Sequence, residues 1–322
     1  MKKLSFVIPC YGSEKTIEFV VNEIVETVSQ KTEYDYEIIA IHDCSPDNVL
    51  SVLKELAEKN SKLKIIDFAK NFGKHAGVLA GFKYATGDYI IGLDDDGQCP
   101  VDHLWELLEP IINGENDYSM AGYSKVKQSV FKNLGSSLNS FMSQILLKKP
   151  KDLYFSNFYA MKSFIAKEMI KYNNPYPYLE GLTLRTTRNF AIVPMEERER
   201  FEGQGNFTLS KSIDLLMNGF TAFSVKPLRI STFMGVLCAF LGFLYGIIVV
   251  VRKLIDPSIS MGYSSTMAAI LFIGGVIMLM LGLIGEYIGR IYISINNSPQ
   301  YVIREIIDNE NAENKNEQDK AK

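Results

Sequence analysis

The chain has 322 residues, with 34 Lys and Arg against 37 Asp and Glu, a formal net charge of −3 and 47% hydrophobic residues. That balance excludes a disordered or collagen-like chain, and the absence of a basic excess excludes a dedicated nucleic-acid binder. The four cysteines (Cys10, Cys44, Cys99, Cys238) have no CxxC spacing, which excludes a zinc ribbon and a disulfide framework.

In chain order, the apolar run Leu4–Pro9 predicts a strand and Glu14–Val28 a helix. Tyr36–His42 predicts the next strand, and Ser45-Pro46 offers an N-cap and a first-turn proline for a helix through about Lys59. Leu63–Phe68 reads as a third strand, Lys74–Ala85 as a helix, and Tyr89–Leu93 as a fourth strand opening into acidic residues. This alternation implies an α/β head with a mostly parallel sheet covered by helices, whose ligands lie beyond the carboxyl ends of the strands. Further along, Ser129–Leu147, Lys162–Lys171, Tyr178–Thr187 and Thr208–Phe220 look helical, with a strand near Phe190–Met195.

The uncharged runs Ile230–Val251 and Met261–Gly285, separated by the polar break Arg252–Pro257, are each long enough for a bilayer core, which takes ~20 helical residues. They predict a two-helix transmembrane hairpin. Met1-Lys2-Lys3 leads at once into a strand, so the head is expected to stay cytoplasmic, at the inner membrane of the cell. Lys226, Arg229 and Arg290 flank the hairpin as the positive-inside rule requires, while Arg252 and Lys253 oppose it. Gly242/Gly246 and Gly285/Gly289 have GxxxG spacing, suited to close helix approach within the hairpin or between copies in a homo-oligomer. The expected division is a head at 1–225, a hairpin at 226–290 and a polar cytoplasmic tail at 291–322, disordered from Asp308 onward.

The strongest chemical signal is Asp94-Asp95-Asp96-Gly97-Gln98, directly after a strand. Successive carboxylates repel unless a cation or several donors sit nearby. In a turn, Asp94 and Asp96 can converge on one hard divalent ion, Mg²⁺ or Mn²⁺, of the kind that bridges nucleotide phosphates. The ends of the other strands carry Pro9-Cys10-Tyr11-Gly12-Ser13-Glu14, Asp43 and Asn71-Phe72-Gly73-Lys74-His75, all polar and turn-forming. Such a set suits a nucleotide crevice.

These stretches, with His42-Asp43-Cys44-Ser45-Pro46-Asp47, Ala85-Thr86-Gly87-Asp88, Glu199-Arg200-x-x-Gly203 and Lys226-Pro227-Leu228-Arg229, resemble the family 2 glycosyltransferases of the GT-A fold. More closely, the chain resembles the membrane-anchored branch that moves a sugar from a nucleotide to a polyprenyl phosphate (bactoprenol glucosyltransferases and dolichol-phosphate mannose synthases). The resemblance implies a Rossmann-like GT-A head followed by the membrane hairpin, and a metal-dependent, inverting transfer to undecaprenyl phosphate, with UDP-glucose as the favoured donor. It implies that Pro9, Tyr11, Glu14, Asp43, Lys74, Asp94 and Asp95 bind the nucleotide-sugar. Asp94, Asp96 and Gln98 would hold the metal. Arg198 and Arg200 would meet the acceptor phosphate, with Lys125, Lys127 and Lys132 as weaker candidates, and Asp94, Asp96 and Arg200 would carry catalysis.

The chain departs from its relatives' pattern at several points. His42 stands where a second Asp is common, Gly97 and Cys99 alter the surroundings of the acidic motif, and Gln204–Phe207 lacks a phosphate-binding lysine. Asn157 stands where many relatives carry an Asp proposed as a base, and an amide cannot accept a proton at neutral pH. That loss is tolerable for a phosphate acceptor, whose second pKa is ~6, but not for a sugar hydroxyl. Two alternatives are a non-catalytic, membrane-tethered nucleotide-sugar-binding subunit and a transferase with a different acceptor. A processive polysaccharide synthase is disfavoured, because Trp105 is the sole Trp and no Gln-x-x-Arg-Trp motif occurs.

Overall fold

Strand β1 (Lys2–Cys10) pairs in parallel with β2 (Tyr34–His42) on one side and with β4 (Tyr89–Gly92) on the other, and β2 pairs in parallel with β3 (Leu63–Phe68). In this computed structural model, residues 1–123, 153, 155–175, 177–196, 198, 226–256, 262–296 and 298–309 are described. The central strands are covered on both faces, so Leu4, Phe6, Val7 and Ile8 are all fully buried and β1 reads as a continuous apolar run rather than an alternating one.

Helices α1 (Ile17–Ser29), α2 (Val49–Lys59) and α3 (Lys74–Tyr84) make the crossovers. Helix α1 turns Ile17, Val20, Val21, Ile24 and Val28 into the core at helical spacing. Helix α3 lies close on the sheet through Gly81, where an added Cβ would meet Val7 Cγ1 at 2.3 Å and Ile41 Cδ1 at 2.9 Å. That close approach brings the amino end of α3, and with it Lys74, to the strand ends.

The sheet continues with β5 (Tyr118–Tyr123), β6 (Tyr159–Lys162) and β7 (Phe190–Met195), accompanied by α4 (Leu104–Ile112), α5 (Ser163–Met169) and α6 (Leu179–Thr186). Its order is β7-β5-β6-β4-β1-β2-β3-β8, with β6 antiparallel to both β4 and β5. The last strand, β8 (Ile303–Asp308), runs antiparallel to β3 at the opposite edge. Tyr301 stacks on Phe68 with ring centroids 5.3 Å apart, and Lys64 pairs with Asp308 at 2.9 Å.

By internal contacts the chain divides into Met1–Ser212 together with Ser298–Lys322, and Ile213–Asn297. The second unit contains α7 (Lys226–Ile255) and α8 (Tyr263–Ile295). Both helices expose large apolar side chains, among them Phe243 at 68% and Met278 at 71%, a surface that water does not tolerate. Phe272–Ile295 within α8 is long and apolar enough to cross a membrane, and α7 holds a shorter apolar stretch, Gly235–Ile248. The spans expected at 230–251 and 261–285 lie largely within these two helices, with the apolar run of α8 shifted toward its carboxyl end.

Two expectations need correction. Helix α2 begins at Val49, not at Ser45-Pro46, because Ser45 and Asp47 are engaged in bonds to the loop after β1 instead of capping a helix. The segment 291–322 is not wholly a tail, since it finishes α8 and supplies β8; Ile303-Arg304-Glu305-Ile306-Ile307-Asp308 alternates too weakly to announce a strand. The expected helices at 129–147 and 208–220 lie outside the described residues. The disorder expected from Asp308 onward does not hold at Asp308, which ends β8, or at Asn309, whose Nδ2 donates to Ala57 O at 2.8 Å; the rest of that stretch lies outside the described residues.

Candidate active site at the strand ends

The loops that leave β1, β2, β3 and β4 are braced to one another by side chains that accept backbone N–H groups. Gly12 N–H donates to Ser45 Oγ (2.8 Å) and Glu14 N–H to Asp47 Oδ2 (2.9 Å), while Asn48 N–H donates back to Glu14 Oε2 (3.1 Å). These bonds join the β1 and β2 loops. Asp43 joins β2 to β3, its two carboxylate oxygens accepting Phe72 N–H at 2.7 Å and Gly73 N–H at 2.8 Å. Gly73 has φ +86°, a left-handed conformation that glycine adopts without cost, and it sets the start of α3. Asp95 joins β4 to β1: its Oδ2 accepts Tyr11 N–H at 2.9 Å, and its carbonyl accepts the Thr16 hydroxyl at 2.6 Å. The result is a rim in which loop residues hold each other's amides, with the half-exposed Tyr11 ring standing on it.

The acidic motif divides its work. Asp94 meets Lys74 Nζ at 2.5 Å, so one cation already stands at the strand end. Burial pushes the Asp95 carboxyl up to about 6, with the charges of Asp94 and Asp96 adding to the effect. The Cys99 thiol is also pushed up, by burial first and then by Asp94. Both shifts report a concentrated negative field. Asp96 accepts the Gln98 backbone N–H at 3.2 Å, and the Gln98 side-chain amide donates to Arg198 O at 3.2 Å.

Among the described residues, no three His, Cys, Asp or Glu side chains converge as a self-sufficient metal cage. The donor set nevertheless fits a hard cation. Mg²⁺ is commonly held by one or two carboxylates plus substrate phosphates, and Asp94 and Asp96 offer two carboxylates on either side of Asp95, whose raised pKa reports their negative field.

The structure thus brings Pro9, Tyr11, Glu14, Asp43, Lys74, Asp94, Asp95, Asp96 and Gln98 to the carboxyl ends of neighbouring parallel strands. Arg198 is placed differently from the expectation. Its Nη2 lies 2.7 Å from Glu23 Oε1 and 2.5 Å from Asp102 Oδ1, so two carboxylates already hold its charge. Arg200, Lys125, Lys127 and Lys132 lie outside the described residues. Asn157 is exposed just before β6. His75 is a satisfied neutral imidazole: its Nδ1 accepts Leu179 N–H at 3.1 Å, and burial, with Lys74 alongside, lowers its pKa to about 4.

Sequence reasoning missed Ser45, Asp47 and Thr16 as rim residues. The signal for Ser45 and Asp47 was an Asp43-x-Ser45-x-Asp47 run of short acceptors, which reads equally well as a helix cap.

Residues 5–171 match the family model described as Glycosyl transferase family 2, and residues 226–291 match the one described as GtrB C-terminal hairpin. The putative glycosyltransferase CsbB of Bacillus subtilis is 32% identical over 304 residues, covering 94% of this chain and 91% of that protein. The SfII prophage-derived bactoprenol glucosyl transferase of Shigella flexneri is 30% identical, covering 94% of this chain and 97% of that protein. Among solved structures, glucosyl-3-phosphoglycerate synthase of Mycobacterium tuberculosis with Mg²⁺ and UDP superposes with a TM-score of 0.51 at 16% identity, over 69% of this chain and 79% of that one. That likeness establishes the GT-A fold.

Proposed function

Because the chain belongs to glycosyl transferase family 2 and carries the C-terminal hairpin of one of its branches, we propose that it transfers a sugar from a nucleotide-sugar to a membrane polyprenyl phosphate. Glucose carried on UDP is the favoured donor, by analogy with the relatives named bactoprenol glucosyl transferase.

The observation that carries this reading is the return of the chain to its own sheet. Strand β8 follows the two long apolar helices yet pairs with β3 of the head, so the number of membrane crossings between head and β8 is even. If α8, with its apolar Phe272–Ile295, crosses, α7 must cross as well. A two-pass hairpin keeps the strand-end rim on the same side of the membrane as both ends of the hairpin. An acceptor anchored in the bilayer suits such an enzyme.

In this reading the rim holds the nucleoside end of the donor near Tyr11, Glu14 and Asp43, and Lys74 neutralises the diphosphate beside Asp94. Asp94 and Asp96 would hold a divalent cation, which supplies Lewis-acid stabilisation of charge on the departing diphosphate. An oxygen of the lipid phosphate attacks the anomeric carbon, the bond from that carbon to the diphosphate oxygen breaks, and the nucleoside diphosphate leaves with the electron pair. One such displacement inverts the anomeric centre. The attacking oxygen is already anionic at pH 7, so no base is required where Asn157 stands. Arg200 remains the proposed contact for that phosphate, since a guanidinium binds it through a bidentate fork. Arg198 instead braces the segment after β7 against Glu23 and Asp102.

The test is nucleoside diphosphate release by the purified full-length protein from a panel of nucleotide-sugars, with and without undecaprenyl phosphate. Release that depends on the lipid phosphate supports the reading. Release that is equal without it, or absent with every donor, overturns it.

A further inference from the structure

Strand β8 brings to the sheet a charged side chain for which the chemistry above has no use. Arg304 Nη1 donates to Asp67 Oδ2 at 2.9 Å and Arg304 Nη2 to Ala69 O at 3.1 Å. Asp67, near the end of β3, is 2% exposed, and its other oxygen meets His42 Nδ1 at 2.6 Å. His42, the last residue of β2, is buried too, and its Nε2 accepts Ser45 N–H at 3.0 Å. An imidazole nitrogen that accepts carries no proton, so the pairing assigns the His42 proton to Nδ1, facing Asp67.

Ser45 is the junction of the rim. Its hydroxyl accepts Gly12 N–H at 2.8 Å and donates to Asp47 at 2.5 Å, and Asp47 in turn accepts Glu14 N–H at 2.9 Å. The residue before it, Cys44, has φ +49°, the one positive value at a non-glycine among the described residues. A side chain disfavours that conformation, so bonds on either side of Cys44 must hold it.

We propose that Arg304 is a positioning residue of the donor site: the strand that follows the helical hairpin sets the nucleoside end of the rim through Asp67, His42 and Ser45. The inference rests on the reading of that rim as the nucleotide-binding site. A buried carboxylate deprived of its cation is costly to keep in place. Without the guanidinium, Asp67 is left with the imidazole, and a shift of either group withdraws the acceptor from the Ser45 amide. The strained turn at Cys44 then loses its hold, and Gly12, Asp47 and Glu14 lose their reference point. Asp94, Asp96 and Lys74 stand on other elements, outside this chain of bonds. Donor affinity should therefore suffer more than the chemical step.

The experiment uses the full-length protein in detergent, with UDP and GDP in Mn²⁺ as probes for calorimetry and with nucleotide-sugar turnover as the second readout. Arg304→Met should weaken whichever nucleotide the native protein binds by about tenfold and raise the donor KM in parallel, with kcat changed by less than about twofold. Arg304→Lys keeps the charge but cannot fork to both Asp67 and Ala69, so it should fall between the two. Adding Ser45→Ala to Arg304→Met should cost little beyond Arg304→Met alone, because members of one chain of bonds do not add. If Arg304→Met fails to give a monodisperse folded protein, Arg304→Lys carries the test.

Native-like nucleotide affinity in the Arg304 variants would overturn the inference, as would a loss confined to kcat or full additivity with Ser45→Ala. A native protein that binds neither UDP nor GDP would overturn the donor-site reading itself, and this inference with it.

Discussion

At the amino ends of the parallel strands, Glu37 is buried among partners that favour its charge: the Ser5 hydroxyl and the Thr86 N–H, each at 2.6 Å, and the Lys3 ammonium at 3.2 Å. At the carboxyl ends, Asp43 and Asp95 hold backbone amides, and among the described residues no Lys or Arg pairs with either. The consequence is opposite titration. Burial pushes the Glu37 carboxyl up, but Ser5, Thr86 and Lys3 outweigh it and the net shift is downward; Asp88 is also lowered, chiefly by its bond to Lys2. Burial raises Asp43, and raises Asp95 to about 6. At one end Glu37 and Asp88 are paired with lysines; at the other Lys74 pairs with Asp94, while Asp43 and Asp95 are held by backbone amides. The first arrangement stabilises a fold; the second is suited to an incoming cation and a phosphorylated ligand.

The sharpest way to break this comparison is at Asp96. Asp96→Asn should lower turnover by about 10²-fold or more while leaving thermal stability and membrane insertion unchanged, because it removes a hard anionic ligand without disturbing the core. Turnover above about a tenth of the native value in saturating Mn²⁺ contradicts the metal assignment. Glu37→Gln should do the reverse, costing about 3 kcal/mol in chemical denaturation by leaving Ser5, Thr86 and Lys3 around a neutral amide, with kcat nearly unchanged at permissive temperature.

Asp95 sharpens the same contrast through pH. Its folded pKa lies above the unfolded one, so its contribution to stability is present below about pH 4 and is lost as pH rises through about 6. Glu37 has the opposite sign: its contribution is present above the ordinary carboxylate range and is lost as pH falls through its lowered folded pKa. Asp95→Asn in metal-free protein should therefore gain on the order of 3 kcal/mol at pH 8 and lose the decline between pH 4 and 6. Denaturation midpoints across pH check this. The smallest effect is expected at Arg198, where Arg198→Ala should change the KM for lipid phosphate by less than about twofold, since its charge is spent on Glu23 and Asp102. A tenfold rise would return Arg198 to the acceptor site.

The parallel core was legible because β1, β2, β3 and β4 are short apolar runs, each ending in polar turn residues. Leu63–Phe68 was bounded to the residue. β5, β6 and β8 were not foreseen: β6 has four residues, and β8 depends on a distant partner, β3, for its pairing. Within the site, the acidic motif and Asp43 stood out because charge at a strand end is unusual. Ser45 and Asp47 did not, because a short polar side chain after a strand predicts a helix cap as readily as a cross-loop brace. The pairing of Arg304 with Asp67 could not be read at all, since the two lie 237 positions apart in the chain.

The most direct test of the central claim, that the carboxyl ends of the parallel strands form a metal-assisted nucleotide site, is calorimetric titration of nucleoside diphosphate into the full-length protein with and without Mn²⁺, in the native chain and in Asp96→Asn. The account predicts binding that requires Mn²⁺ in the native protein and is lost in Asp96→Asn. Equal binding in the absence of Mn²⁺, or undiminished Mn²⁺-dependent binding by Asp96→Asn, would contradict it.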